Sequence, residues 1–92
     1  MTPLDDDAIT AALAGLPSWS RDGDALVHTR TLPDFRAAVA FIVRLSFEAE
    51  RLHHHPELFN VYGTVRLRLT THDAGDRITA RDVALARAIS AL

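Results

Sequence analysis

The order of helices and strands is decided by residues 35–71, FRAAVAFIVRLSFEAERLHHHPELFNVYGTVRLRLTT. The first half repeats apolar residues at the 3.6-residue period of a helix, and the second half alternates apolar and polar residues with period two. The pattern predicts a long helix that ends near Pro56, followed by strands over residues 58–62 and 64–71 that pair around Gly63. The predicted apolar stripe of the helix consists of Phe35, Ala38, Val39, Ile42, Leu45, Ala49 and Leu52.

The flanking segments complete the fold prediction. Residues 5–16 combine an acidic start with apolar residues at helical spacing, which predicts a first helix before Pro17. The turn-forming sequence at residues 22–24 separates two strand-like runs and predicts a hairpin, and Thr79 is a suitable N-cap for a last helix. The predicted order is αββαββα. This is an α+β fold in which residues 1–92 form a single domain, with helices packed on one face of a four-stranded antiparallel sheet.

The composition bounds the class of protein. A chain of 92 residues with a net charge of −2 has no excess of positive charge to attract nucleic acid or an anionic membrane. It contains no cysteine, which excludes disulfides and thiolate metal sites, and no apolar run approaches the ~20 residues of a membrane span. We therefore expect a cytoplasmic protein without nucleic-acid or membrane partners.

Two features favour self-association. A chain of this length buries only a modest fraction of its surface on folding, so pairing with a second copy would hide more apolar area. Phe41 and Phe47 also widen the apolar surface of the long helix beyond its stripe. That extra surface could meet a partner.

Histidines form the main candidate for a functional site. Four of the five lie at two places, His53-His54-His55 at the end of the long helix and His72 at the end of the last strand. Because the outer ends of a hairpin meet, these two places come together in space. Imidazoles exchange protons near neutral pH. Glu50, four residues before His54 on the same helix face, could orient that ring, and Asp82 could orient another.

Two alternatives accompany this interpretation. Histidines at a helix C-terminus can simply complement the helix dipole. Imidazoles with glutamate and aspartate are also ligands for zinc or iron. However, consecutive residues of a helix point about 100° apart, so His53, His54 and His55 cannot all face one ion unless the helix unwinds. The pattern therefore favours proton transfer by histidines without a metal.

The histidines belong to a longer motif that resembles the signature of the pterin-4a-carbinolamine dehydratase family. The motif runs Glu50-x-x-x-His54-His55-Pro56, Tyr62, Thr71-His72-Asp73 and Asp82, and the resemblance extends upstream through Trp19, Phe35-x-x-Ala38-x-x-Phe41 and Ala49. It implies an αββαββα fold and a dimer or tetramer built through the sheets and helices. It also implies loss of water from a 4a-hydroxytetrahydropterin to give quinonoid dihydropterin, without a metal or an organic cofactor.

The resemblance also assigns residues. His54, His55 and His72 match the catalytic histidines, Glu50 and Asp82 match the supporting acids, and Thr70 and Thr71 match the strand end that contacts the pterin. We expect His55 and His72 to act as acid and base, in either order, and His54 to hold the 4a-hydroxyl or the transient cation.

The chain departs from the family pattern at His53, where Asn or Asp is common, at Leu58, where an aromatic residue is frequent, and in a loop one residue longer before Asp82. A non-catalytic role as a dimerisation or assembly partner is the alternative function.

Overall fold

The computed structural model describes all 92 residues and confirms the predicted order αββαββα. None of its helices combines the length and the hydropathy that crossing a membrane requires. The elements are α1 (Asp6–Ala14), β1 (Ser20–Asp22), β2 (Ala25–Thr31), α2 (Phe35–Arg51), β3 (Glu57–Val61), β4 (Thr64–Leu69) and α3 (Ala80–Ser90), with a short 3-10 helix at His72–Ala74 between β4 and α3.

Side-chain caps begin all three α-helices. Asp5 and Asp34 accept hydrogen bonds from the backbone N–H groups of Ala8 and Ala37, each at 2.8 Å. The predicted cap Thr79 forms a capping box with Asp82, whose carboxylate accepts the Thr79 backbone N–H at 2.9 Å. Each cap satisfies a donor that the helix itself leaves unpaired. The start of α3 is therefore fixed by the same aspartate that the sequence nominated for the site.

The sheet is antiparallel throughout, with strand order β1-β2-β4-β3. His28, Leu67 and Leu58 are aligned across β2, β4 and β3, so they share the face that the helices cover. The alternation predicted for residues 64–69 is confirmed. The inward residues are buried and the arginines between them lie on the open face. The core joins this face to the helices through Leu26, Phe41, Leu45, Val65, Leu67, Leu69, Leu85 and Ile89.

The long helix α2 carries two adjacent lines of apolar residues. The predicted apolar stripe mixed residues from both lines. Phe41, expected on the surface, is fully buried beneath the guanidinium of Arg30, whereas Phe35, expected in the core, is 59% exposed. Phe47 is 70% exposed, as expected. A period of 3.6 fits both lines, so periodicity alone could not decide which one faces the sheet. The buried line is Ala38, Phe41, Leu45 and Ala49, and the exposed apolar line is Phe35, Val39, Val43 and Phe47.

The β3–β4 hairpin is held against the start of α2 by a close backbone approach at Gly63. The N–H of Leu32 donates to the Gly63 carbonyl at 2.7 Å, and a Cβ on Gly63 would lie only 2.4 Å from the Leu32 oxygen. Glycine is therefore required at this turn. Because the turn is anchored, the opposite end of the hairpin stays beside the end of α2, where the histidines lie.

Candidate active site

A polar pocket of about 330 Å³ lies where the end of α2, the end of β4 and the start of α3 meet. Five of the seven predicted site residues line it, and the other two, Glu50 and Asp82, lie outside the lining but each bonds a histidine of the pocket. The lining residues are His53, His54, His55, Pro56, Glu57, Thr70, Thr71, His72, Asp73 and Arg81.

The chain reverses its direction at His53, immediately after α2. The helix ends at Arg51, five residues earlier than the predicted boundary near Pro56. His53 adopts the left-handed conformation (φ 51°), with hydrogen bonds from His53 N to Glu50 O and from His54 N to Ala49 O. This is a Schellman ending with histidine in place of glycine. Histidine, asparagine and aspartate tolerate left-handed backbone better than most residues. The reversal directs His54 and His55 to different neighbours.

His54 is buried and bonded to Asp82, with Nε2 and Oδ1 2.6 Å apart. The other oxygen of Asp82 accepts from the Thr71 hydroxyl at 2.8 Å and from the Thr79 backbone N–H. Since Thr71 gives its proton to Asp82, the Thr79 hydroxyl must donate to Thr71, at 2.7 Å. A carboxylate only accepts hydrogen bonds, so Nε2 of His54 carries the proton and Nδ1 is the free ring nitrogen. Asp82 therefore orients His54, and not another histidine as the sequence analysis expected.

His55 is bonded to Glu50, with Nε2 and Oε2 2.7 Å apart and both side chains more than 70% exposed. The prediction that Glu50 orients His54 is wrong. It assumed that the helix continues through His54, whereas the left-handed turn at His53 ends the helical spacing. Glu50 thus supports the next histidine along the chain. Nδ1 is the free ring nitrogen of His55, as it is of His54.

His72 is paired with Asp76, a residue that the sequence analysis did not assign to the site. Nδ1 of His72 and Oδ1 of Asp76 are 2.5 Å apart. The hydrogen bond and the charge of Asp76 raise the pKa of His72 above the ordinary histidine value, with smaller contributions from Glu57 and Asp73. A spacing of four residues between a histidine and an aspartate is compatible with such a pair. The two side chains come into contact here only because of the conformation of the loop.

The longer loop before Asp82 does not displace that residue. Asp82 is bonded to His54, and the loop before it consists of the 3-10 helix followed by Gly75 and Asp76 in left-handed conformations. The Thr71 N–H then donates to the Arg77 carbonyl at 2.9 Å, which closes the loop beneath the pocket.

Two further charged residues line the pocket and were missed by the sequence analysis. Glu57 begins β3, and Arg81 lies in the first turn of α3, one residue before Asp82. Its position next to Asp82 was the only feature of the sequence that could have placed Arg81 near the pocket. Nowhere in the chain do three or more histidine, aspartate or glutamate side chains converge in a way that could hold a metal ion.

The fold and pocket define a small α+β protein with a polar site at which three histidines each pair with a separate carboxylate. The chain belongs to the pterin 4 alpha carbinolamine dehydratase family, whose model matches residues 2–92. A relative from Thermomicrobium roseum, provisionally named a pterin-4-alpha-carbinolamine dehydratase, is 48% identical over 92 residues, covering 100% of this chain and 98% of its own. One of the same name from Opitutus terrae is 50% identical over 86 residues, 94% of this chain and 89% of its own.

A solved structure shows the same fold. The Brucella melitensis protein described as a transcriptional coactivator/pterin dehydratase superimposes with a TM-score of 0.91 at 32% identity, covering 97% of this chain and 96% of that one. The predicted family and fold class are confirmed.

Proposed function

We propose that this chain is a dehydratase that expels water from a 4a-hydroxytetrahydropterin and releases quinonoid dihydropterin, with its histidines as acid and base. The observation that carries the proposal is the set of three imidazole–carboxylate pairs around one pocket, His54–Asp82, His55–Glu50 and His72–Asp76. The family's name and those of its relatives supply the substrate class.

The reaction needs two proton transfers. The bond between carbon 4a and its hydroxyl oxygen breaks, the lone pair of the adjacent ring nitrogen forms a carbon–nitrogen double bond, and the proton on that nitrogen leaves. Hydroxide is a poor leaving group, so an imidazolium must protonate the departing oxygen while a neutral imidazole takes the nitrogen's proton. Each transfer typically contributes about 10²–10⁴-fold in rate.

The pocket suits this chemistry in size and polarity. A volume of about 330 Å³ lies at the lower end of ligand cavities and matches a flat bicyclic ring. Thr70 and Thr71 line the wall just after β4. Thr70 can offer its hydroxyl group to the polar edge of a pterin, whereas the buried Thr71 hydroxyl is already bonded to Asp82 and Thr79. His54 is the most enclosed of the three histidines, so we assign it to hold the 4a-hydroxyl or the transient cation.

The direct test mixes purified, chelator-treated protein with freshly generated 4a-hydroxytetrahydropterin and follows quinonoid dihydropterin by absorbance. We expect acceleration that His55→Ala or His72→Ala reduces by about 10²–10⁴-fold. Asp24→Asn, at an exposed residue of the β1–β2 turn outside the pocket, is the control and stays active. A folded protein that does not accelerate the reaction would contradict the proposal, and activity that returns only on adding zinc or iron would indicate a metal-dependent site instead.

We also propose that the chain self-associates, with a second copy packing on the exposed apolar line of α2. Antiparallel packing about a two-fold axis at Val43 would set Val39 against Phe47 and Arg36 against Glu50 across the axis, so apolar and charged residues would both be matched. This is the helical part of the dimer or tetramer that the family resemblance implies. The cytoplasmic location stays a prediction.

Sedimentation velocity tests the self-association. Phe47→Ser should shift the protein toward the monomer, while Tyr62→Ser, at an exposed residue of the distant β3–β4 turn, should not. A monomeric wild type, or a Phe47→Ser variant that sediments like the wild type, would contradict this interface. Capture of an unrelated partner by the same helix would support the assembly role instead.

A further inference from the structure

The loop after β4 brings a carboxylate back beside His72. His72 starts the 3-10 helix, and Gly75 and Asp76 follow with φ of 73° and 59°. This left-handed pair reverses the chain, so that the N–H of Asp76 donates to the Thr71 carbonyl at 3.1 Å. The Asp76 carboxylate is thereby held four residues along from His72 but in direct contact with Nδ1.

The three histidines differ in which ring nitrogen is engaged. Nε2 of His54 and Nε2 of His55 are bonded to their carboxylates, whereas His72 is bonded through Nδ1. Of the three histidines that are paired with a carboxylate, His72 is therefore the one that has a free Nε2.

We propose that Asp76 is a positioning residue for His72. Asp76 orients the ring through Nδ1 and stabilises the imidazolium, so that Nε2 donates its proton to the leaving hydroxyl group. This inference rests on the proposed dehydratase function. It assigns His72 as the acid, which the sequence left interchangeable with the base. Asp76 acts through His72 and does not itself line the pocket.

The proton transfer is consistent with this geometry at both stages. Before the reaction the imidazolium carries protons on both nitrogens, and Nδ1–H donates to Asp76. When Nε2 gives its proton to the oxygen, the bond between carbon 4a and oxygen breaks and water leaves. The neutral ring that remains is already the Nδ1–H tautomer that Asp76 holds. No rotation of the ring is needed during the step.

The charges around His72 agree with a cationic ring. Its own loop contributes Asp76 and Asp73, and β3 contributes Glu57, all of which raise its pKa, while desolvation opposes them. The other titratable or charged residues of the pocket are His53, His54 and His55 from the end of α2 and Arg81 from α3. Asp76 makes the largest contribution, both by hydrogen bonding and by charge.

The test begins with the protein alone. Two-dimensional NMR of the ring nitrogens reports the tautomer and the titration of each histidine without substrate. Asp76→Asn keeps a side chain that tolerates the left-handed backbone but removes the charge. We expect it to lower the pKa of His72, with a smaller effect from the control Asp73→Asn, at an acid of the same loop that does not bond the ring. Equal shifts from both variants, or no shift from Asp76→Asn, would overturn the positioning role.

Kinetics then tests the acid role. Because an acid must be protonated, Asp76→Asn should move the alkaline limb of the kcat/KM profile to lower pH and reduce kcat with little change in KM. The loss should grow with pH and remain below that of His72→Ala, about 10²–10⁴-fold. Asp76→Glu should restore part of the alkaline activity. An unshifted alkaline limb would overturn the acid role. An inactive wild type would contradict the proposed function, while the NMR comparison would still decide whether Asp76 positions His72.

Discussion

The bond between His54 and Asp82 joins the pocket to the start of the last helix. One carboxylate oxygen of Asp82 accepts from Nε2 of His54, and the other accepts from the Thr79 backbone N–H that begins α3. The carboxylate is fully buried, and no buried side-chain polar atom in the protein lacks a hydrogen-bond partner. The orientation of a site histidine and the capping of a helix thus depend on the same side chain.

Asp82→Asn should therefore reduce stability and activity together. An amide offers one acceptor in place of two, so either the cap or His54 meets an N–H₂ group instead of an oxygen. We expect a loss of about 1–3 kcal/mol in the free energy of unfolding, typical of a buried group left unsatisfied. Urea denaturation followed by circular dichroism measures it, with Asp73→Asn as the exposed control. Full stability in Asp82→Asn would show that the carboxylate is not needed.

Replacing each of the three histidines by alanine should lower activity, but only one of the replacements should also lower stability appreciably. His55 and His72 are exposed, so their replacement by alanine should change the free energy of unfolding by less than about 0.5 kcal/mol while lowering turnover about 10²–10⁴-fold. His54→Ala should also cost about 1–3 kcal/mol, because it leaves Asp82 without one of its donors. Parallel denaturation and rate measurements decide this. Comparable losses of stability in all three variants would refute the distinction.

His53 should tolerate substitution according to backbone conformation. His53→Asn and His53→Gly keep the left-handed turn that ends α2 and should be neutral or slightly stabilising. His53→Val should destabilise the fold by about 1–3 kcal/mol, because a β-branched residue is strained at positive φ. Thermal unfolding of the three variants provides the comparison. Equal melting temperatures would mean that His53 matters for its ring and not for its backbone.

The pair of His72 and Asp76 should add stability only at low to neutral pH. Since folding raises the pKa of His72, the contribution is present below the unfolded value of about 6.5 and is lost as the pH rises through the folded value. Both side chains are exposed, so salt should weaken the effect. The melting temperatures of the wild type and Asp76→Asn should differ more at pH 6 than at pH 9. A difference that grows with pH would have the wrong sign.

Local sequence patterns predicted the elements and the convergence of the histidines on one pocket, but not the contacts among those residues. The alternation around Leu67 and the cap at Thr79 were correct because each depends on a few neighbouring residues. The burial of Phe41 in place of Phe35 depends on how α2 packs, which two adjacent apolar lines leave undetermined.

The partners of His55 and His72 could not be predicted because two left-handed turns decide them. Because of the turn at His53, Glu50 bonds His55 instead of His54. The turn at Gly75 and Asp76 brings the Asp76 carboxylate into contact with His72. Glycine is the usual residue at a left-handed position, but His53 and Asp76 occupy such positions here. The sequence therefore gave little indication of these turns.

Two of the three imidazole–carboxylate pairs are local in the chain, four and five residues apart, and the third spans 28 residues. Local pairs can persist in a loosened chain, whereas the pair of His54 and Asp82 exists only while α3 is docked against the end of α2. Proteins open in cooperative units below the global unfolding transition. Undocking of α3 would therefore abolish the activity of the pocket, while most of the circular dichroism signal of the helices would remain. Enzymatic activity would then report on the tertiary integrity of this fold more sensitively than its secondary structure does.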